Sequence, residues 1–129
     1  MCGICGIIGK HEGKADIIQR MMDRIYHRGP DDGGSYVKGS AALGFRRLSI
    51  IDLETGAQPM YNETNDIVIV FNGEIYNYEE LRKEMIEKGH VFRTRNYDTE
   101  CLIHAYEEYK ERMLSHLRGM FAFAIWDEK

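Results

Sequence analysis

The sequence predicts a mixed α and β domain, and three observations carry that prediction. Apolar runs with β-sheet character recur early, in the middle and late, at residues 2–8, 67–71 and 120–126. Stretches with helical apolar spacing lie between them. The 129 residues suffice for one domain with one modest core. Strands and helices interleaved in this way read as mixed α and β.

The elements follow in order. Residues 2–8 are apolar, β-branched and punctuated by glycine, the pattern of a buried strand. Ala15, Ile18, Met22 and Ile25 predict a helix over 15–26, stopped by Gly29 and Pro30. Arg28 to Gly34 read as a loop, and 35–38 with 41–46 as a hairpin pair. Residues 47–65 form a long connection of the kind that is often functional. Ile67-Val68-Ile69-Val70-Phe71 is the clearest strand, expected to end at Asn72-Gly73. A helix follows, N-capped by Asn77 with Glu80 at the capping-box position, ending at Lys88 before Gly89. Val91 to Thr94 reads as a short strand. Asp98 is placed to cap a helix over 99–109, with Leu102, Ala105, Tyr106 and Tyr109 on one face. A short helix near 111–117 leads into the last strand, 120–126.

The bulk numbers exclude several classes. A net charge of −4 offers no general attraction to nucleic acid or anionic membrane. No run approaches the roughly 20 apolar residues of a membrane helix. The short apolar N-terminus has no basic region ahead of it, so it is not a signal peptide. A cytoplasmic location is expected, where three cysteines remain free thiols.

Few residues offer chemistry. With Met1 removed, Cys2 carries a thiol and a free α-amine, with ordinary pKa values of about 8.5 and about 8. The amine can take the thiol's proton and return it to a leaving group, so one residue supplies nucleophile and base. Free cysteine is also commonly just buried. Cys2 and Cys5 make a Cys-x-x-Cys, a possible redox pair or half a zinc site. On a strand, however, the two point to opposite faces, and Cys5 is expected in the core. Asn72 and Gly73 can supply an amide and a backbone N–H to an oxyanion, although Asn-Gly is also an ordinary turn. Arg47 can bind a carboxylate bidentately, and Asp98 an ammonium group. A solvated charge and a helix cap are the commoner roles of those two residues. Arg28-Gly29-Pro30-Asp31 reads as a structural turn, and His27 as the close of the first helix. His11, His90, His104 and His116 read as surface or packing residues, and no metal site is expected.

These signals occur together and in a telling order: Met1-Cys2-Gly3-Ile4, His27-Arg28-Gly29-Pro30-Asp31, Arg47-Leu48-Ser49-Ile50-Ile51-Asp52, Gln58-Pro59-Met60-Tyr61-Asn62, Phe71-Asn72-Gly73-Glu74-Ile75-Tyr76-Asn77, Asp98-Thr99-Glu100, and Leu117 to Ala124. The set resembles class II glutamine amidotransferases, which are N-terminal-nucleophile hydrolases, over essentially the whole chain. The Arg47–Asp52 and Gly56–Asn62 stretches point to the glutamine-hydrolysing asparagine synthetase branch.

The resemblance implies an α+β fold, the αββα sandwich of antiparallel sheets. It implies that Cys2 attacks the glutamine amide to form a thioester, with Asn72 and Gly73 holding the oxyanion. Arg47 binds the substrate carboxylate, Glu74 and Asp98 its ammonium, and Ile50 or Ile51 lines the pocket. The amide step needs no cofactor. ATP and Mg²⁺ belong to a synthetase domain that takes up the ammonia to make asparagine from aspartate. The sequence departs from the family at Asn96-Tyr97, where a small pair is usual, and at Cys5, where a bulkier apolar residue is usual. Tyr97 is expected to crowd the ammonium site. The family's glutaminase domain runs on past Trp126, so the chain is expected to be a partial glutaminase domain lacking strands and the synthetase. Open edges and exposed apolar faces are the expected consequences, and with them a partner segment, oligomerisation or poor solubility. A non-catalytic glutamine-binding or interaction module, and a Cys2/Cys5 metal or redox site, are the alternative readings.

Overall fold

The computed structural model describes residues 2–48, 57–95 and 97–129. Among the described residues, six strands and three helices follow in the order β1 (Gly3–Ile8), α1 (Lys14–Arg24), β2 (Asp32–Lys38), β3 (Ala41–Arg47), β4 (Met60–Tyr61), β5 (Ile67–Ile75), α2 (Tyr78–Glu87), α3 (Asp98–Tyr109) and β6 (Gly119–Asp127). Two 3₁₀ segments, Tyr26–Arg28 and Lys110–His116, extend α1 and α3.

The strands form two three-stranded antiparallel sheets, ordered β1-β3-β2 and β4-β5-β6. Period-two alternation sorts the side chains into layers. Leu43 and Phe45 of β3 meet Val68 and Val70 of β5 in a shared core between the sheets. On the outer face of the first sheet, Ala42 packs under Ile18 and Met22 of α1. On the outer face of the second, Ile69 and Phe71 pack under Leu81 and Met85 of α2 and Leu102 of α3. The layers therefore run helix, sheet, sheet, helices, the αββα sandwich that the resemblance implies. Each aliphatic side chain fully buried in these layers contributes about 1.5–3 kcal/mol. β1 and β2 are the edge strands of the first sheet, β4 and β6 those of the second. An apolar recess of about 630 Å³, lined by Ile4, Ile7, Leu43, Val70, Ala124 and Trp126, opens between β1 and β6.

Several local expectations are corrected. β5 does not end at Asn72-Gly73 but runs to Ile75, because β6 pairs with it along its full length. The first helix ends at Arg24, so His27 falls in the 3₁₀ turn, and Ala15 is exposed. β2 starts inside the expected loop, at Asp32. Residues 91–94 form no strand. The amides of Arg93 and Thr94 donate to the buried Glu100 carboxylate (both 2.7 Å) instead of to a ladder. Asn77 precedes α2 as expected but makes no side-chain cap. Its amide group donates to His116 O and accepts from Arg118 N (both 2.9 Å), which ties α2 to the start of β6. Asp98 is the first residue of α3 and not its N-cap.

Candidate active site

Strand register assembles the site. Gly3 pairs with Arg46, which brings Cys2 level with Arg47 at the end of β3. The His27–Asp31 motif locks this corner. Arg28 Nε donates to Cys2 O (3.1 Å), Arg46 Nε donates to Gly29 O (2.8 Å), and Asp31 N donates to Arg47 O (3.0 Å). Only glycine fits at 29, since a Cβ there would lie 2.5 Å from the Arg46–Arg47 backbone. The turn that the sequence marks as structural is thus the clamp on the backbone of Cys2 and Arg47.

The second sheet supplies the opposite wall. Phe71, Asn72 and Gly73 stand on β5, paired with Phe123, Ala122 and Phe121. Asn72-Gly73 is therefore no turn. Gly73 has φ +149°, and a Cβ there would collide with Met120 O, so β6 can approach only a glycine. The Asn72 side chain is half-buried and makes no hydrogen bond among the described residues. α3 closes the site: Asp98 Oδ2 accepts from Ile75 N (3.0 Å), fixing the helix start to the end of β5.

These elements enclose a cleft of about 280 Å³ lined by Cys2, Phe45, Arg47, Leu48, Gln58, Phe71, Asn72, Gly73, Tyr97 and Asp98. Cys2 Sγ lies 3.5 Å from Leu48 N, which can donate to it. Arg47 is only 7% exposed, so it is no solvated surface charge. Burial raises the Asp98 pKa, hydrogen bonds from backbone amides oppose that rise, and neighbouring Glu74 adds to it. A ligand cation would relieve the cost. Burial also raises the Tyr97 pKa, which keeps its phenol neutral. The cleft thus holds a thiol, a neutral amide, a guanidinium and a carboxylate around a volume fit for a small ligand. Such a set can seize both charged ends of an amino acid and present a third group to sulfur.

Of the residues expected at the site, the cleft brings together Cys2, Arg47, Asn72, Gly73 and Asp98. Glu74 does not line it. Ile50 and Ile51 lie outside the described residues. Tyr97 lines the cleft beside Asp98, where crowding was expected. Cys5 is half-buried under α1, in a different core cluster from Cys2, and both thiols are free.

Gln58 is the residue that sequence reasoning missed. It is 8% exposed and accepts from Phe71 N through Oε1 (2.6 Å). Its Nε2 donates to Tyr97 Oη (2.8 Å) and lies 3.4 Å from Thr99 Oγ1. It therefore joins β5 to the start of α3 behind the cleft. Its only signal was membership of Gln58–Asn62, and no chemistry drew attention to it. Asn62, at the other end of that motif, accepts from Asp66 N and Ile67 N (both 3.1 Å) and shapes the entry to β5.

Known proteins resemble this chain over its whole length. Residues 1–129 match the family described as "Glutamine amidotransferase domain". The chain is 48% identical over 133 residues to asparagine synthetase [glutamine-hydrolyzing] 1 of Bacillus subtilis, covering 99% of this chain and 21% of that protein. It is 42% identical over 132 residues to asparagine synthetase [glutamine-hydrolyzing] 1 of Arabidopsis thaliana, covering all of this chain and 22% of that protein. The chain therefore spans about a fifth of the length of the curated relatives it matches. Among solved structures, the glutamine phosphoribosylpyrophosphate amidotransferase of B. subtilis, complexed with ADP and GMP, superposes with a TM-score of 0.80 at 23% identity. That match covers 99% of this chain and 35% of the other, and it bears on the fold alone.

Proposed function

The chain belongs to the glutamine amidotransferase domain family, and we propose that it hydrolyses the side-chain amide of glutamine to glutamate and ammonia, with Cys2 as nucleophile. The single observation behind this reading is the convergence of Cys2, Arg47, Asn72 and Asp98, from four separate segments, on one small cleft. Arg47 takes the substrate α-carboxylate and Asp98 its α-ammonium. Glu74 adds negative charge from beside Asp98. The side-chain amide then reaches toward Sγ.

Once Met1 is removed, the Cys2 α-amine takes the thiol proton, and the thiolate adds to the amide carbon. The Asn72 amide and the Gly73 N–H stabilise the resulting oxyanion, and the ammonium returns its proton to the departing nitrogen. The C–N bond breaks, ammonia leaves and a glutamyl thioester remains. Water, deprotonated by the same amine, attacks the thioester. Glutamate is released and the thiol regenerated, for a net reaction of glutamine plus water to glutamate plus ammonia. In this reading the ammonia serves asparagine synthesis in a synthetase partner. That partner, and no residue of this chain, handles ATP and Mg²⁺.

A glutaminase assay tests the proposal on protein whose N-terminal Cys2 has been verified by intact mass. Glutamate release that disappears in Cys2→Ala is expected. Release that survives Cys2→Ala would contradict it. Binding of glutamine without turnover would favour a non-catalytic binding module.

A further inference from the structure

Away from the cleft, α3 carries a second polar cluster that the proposed chemistry leaves unused. We propose that His90, His104 and Glu107 bind a divalent transition-metal cation of the zinc type. This site stands independently of the amide-hydrolysis reading.

Helical spacing creates half of it. Glu100, His104, Glu107 and Glu108 follow at i, i+4, i+7 and i+8, one face of α3. The segment after α2 adds His90, whose ring centroid lies 4.7 Å from that of His104. The loop before β5 adds Glu63. One ligand atom from each of His90, His104 and Glu107 can be chosen so that all three lie within 4.8 Å of one another. His104 Nδ1 is 3.0 Å from Glu107 Oε1 and 3.8 Å from Glu63 Oε1. Ligand atoms about 2.0–2.2 Å from a tetrahedral zinc lie about 3.3 Å apart, so small side-chain rotations complete the set.

The second observation is the other nitrogen of the same ring. His104 is 2% exposed, and its Nε2 is buried without a hydrogen-bond partner among the described residues. The nearest carboxylate oxygen to it, Glu100 Oε1, stands 3.6 Å away. The Glu100 oxygens already accept from Arg93 N, Thr94 N and Thr94 Oγ1 (2.7, 2.7 and 2.5 Å). Glu100 is therefore unavailable as a ligand but well placed to orient one. A histidine bound to metal through Nδ1 directs its Nε2–H at such a carboxylate, the usual outer partner of a metal-bound imidazole.

Charge and access fit as well. Glu63, Glu100, Glu107 and Glu108 surround two imidazoles. The Arg82 guanidinium stacks 5.1 Å over Phe92, whose ring in turn meets His104 edge-on. Glu63 and Glu107 keep 48% and 24% of their side chains exposed, which leaves a way in for the ion. Glu108, 2.6 Å from His90 Nε2, or Glu63 supplies an oxygen as the fourth ligand. Imidazole donors select zinc-like ions over calcium or magnesium, which favour oxygen alone.

Cobalt(II) titration tests the site, with Cys2→Ala as background so that the thiol–amine chelate at the N-terminus contributes nothing. One equivalent of cobalt with the visible bands of tetrahedral coordination is expected, displaced by one equivalent of zinc. His90→Ala and Glu107→Gln, both partly exposed, should each weaken binding by at least about 10–100-fold, the loss seen when even an outer partner of a metal ligand is removed. His116→Ala, outside the cluster, should leave it unchanged. Absence of a tetrahedral spectrum from the Cys2→Ala protein would overturn the proposal. So would equal affinity in circular-dichroism-verified His90→Ala and Glu107→Gln.

Discussion

The Cys2 cleft and the histidine cluster on α3 both withdraw polar groups from water, and they do so with opposite charge plans. The cleft places a guanidinium and a carboxylate on different walls, with neutral amides and aromatic rings between them. Such a site suits a ligand that carries both charges. The cluster gathers four carboxylates around two imidazoles. It suits a compact cation. The two also differ in how they are built. The cleft draws on the residue before β1, on β3, β5 and the start of α3, and on Gln58 ahead of β4. The cluster rests mainly on one face of α3. A site made from many segments demands that the whole fold be right before any chemistry is possible.

Substitutions can break that contrast, beginning with the largest effect. Cys2→Ala should lower glutamate release by at least about 10⁴-fold, since it removes the nucleophile outright. Asn72→Ala should lower kcat by about 10²–10³-fold, the cost of one oxyanion donor, with a smaller change in KM. Steady-state kinetics separates these two parameters. Arg47→Gln and Asp98→Asn should act mainly on KM for glutamine, by about 10–100-fold each, as each loses a charge-assisted hydrogen bond of about 1.5–3 kcal/mol. A change confined to kcat would place these residues elsewhere in the reaction.

pH sharpens the role of Asp98. Burial raises its pKa, so folding and the empty cleft favour the neutral acid. The associated stability is present at low pH and is lost as pH rises through the folded value. Binding of the substrate ammonium requires the ionised form. KM should therefore rise as pH falls through that raised value, and Asp98→Asn should lose this acid limb. An unchanged profile in Asp98→Asn would remove Asp98 from the binding set. The smallest effect concerns stability. Gln58→Ala leaves the buried Phe71 N–H without its acceptor and should cost about 1–3 kcal/mol in denaturant unfolding.

Layers and most elements were legible in the sequence because apolar periodicity reports burial directly. The α1 face through Ile18 and Met22 and the continuous run 67–71 show this. What periodicity could not supply was pairing. Asn72-Gly73 looks like a turn until β6 is seen to run beside it. Residues 91–94 look like a strand until the Glu100 carboxylate takes their amides. The cleft was legible through motifs whose chemistry is distinctive, namely a cysteine directly after Met1, an arginine and an aspartate. Gln58 was hidden because its role is support and its partners lie 13 and 39 residues away. His90 and His104 were hidden for a similar reason: 14 residues separate them, and only the packing of α3 brings the rings together.

The most direct test of the central claim asks which sulfur reacts. A diazoketone analogue of glutamine is incubated with protein whose N-terminus is verified as Cys2, and the adduct is located by peptide mass. One adduct per chain, on Cys2 alone and blocked by excess glutamine, is the predicted result. Labelling at Cys5 or Cys101, or equal labelling of Cys2 when Met1 is retained, would contradict the account.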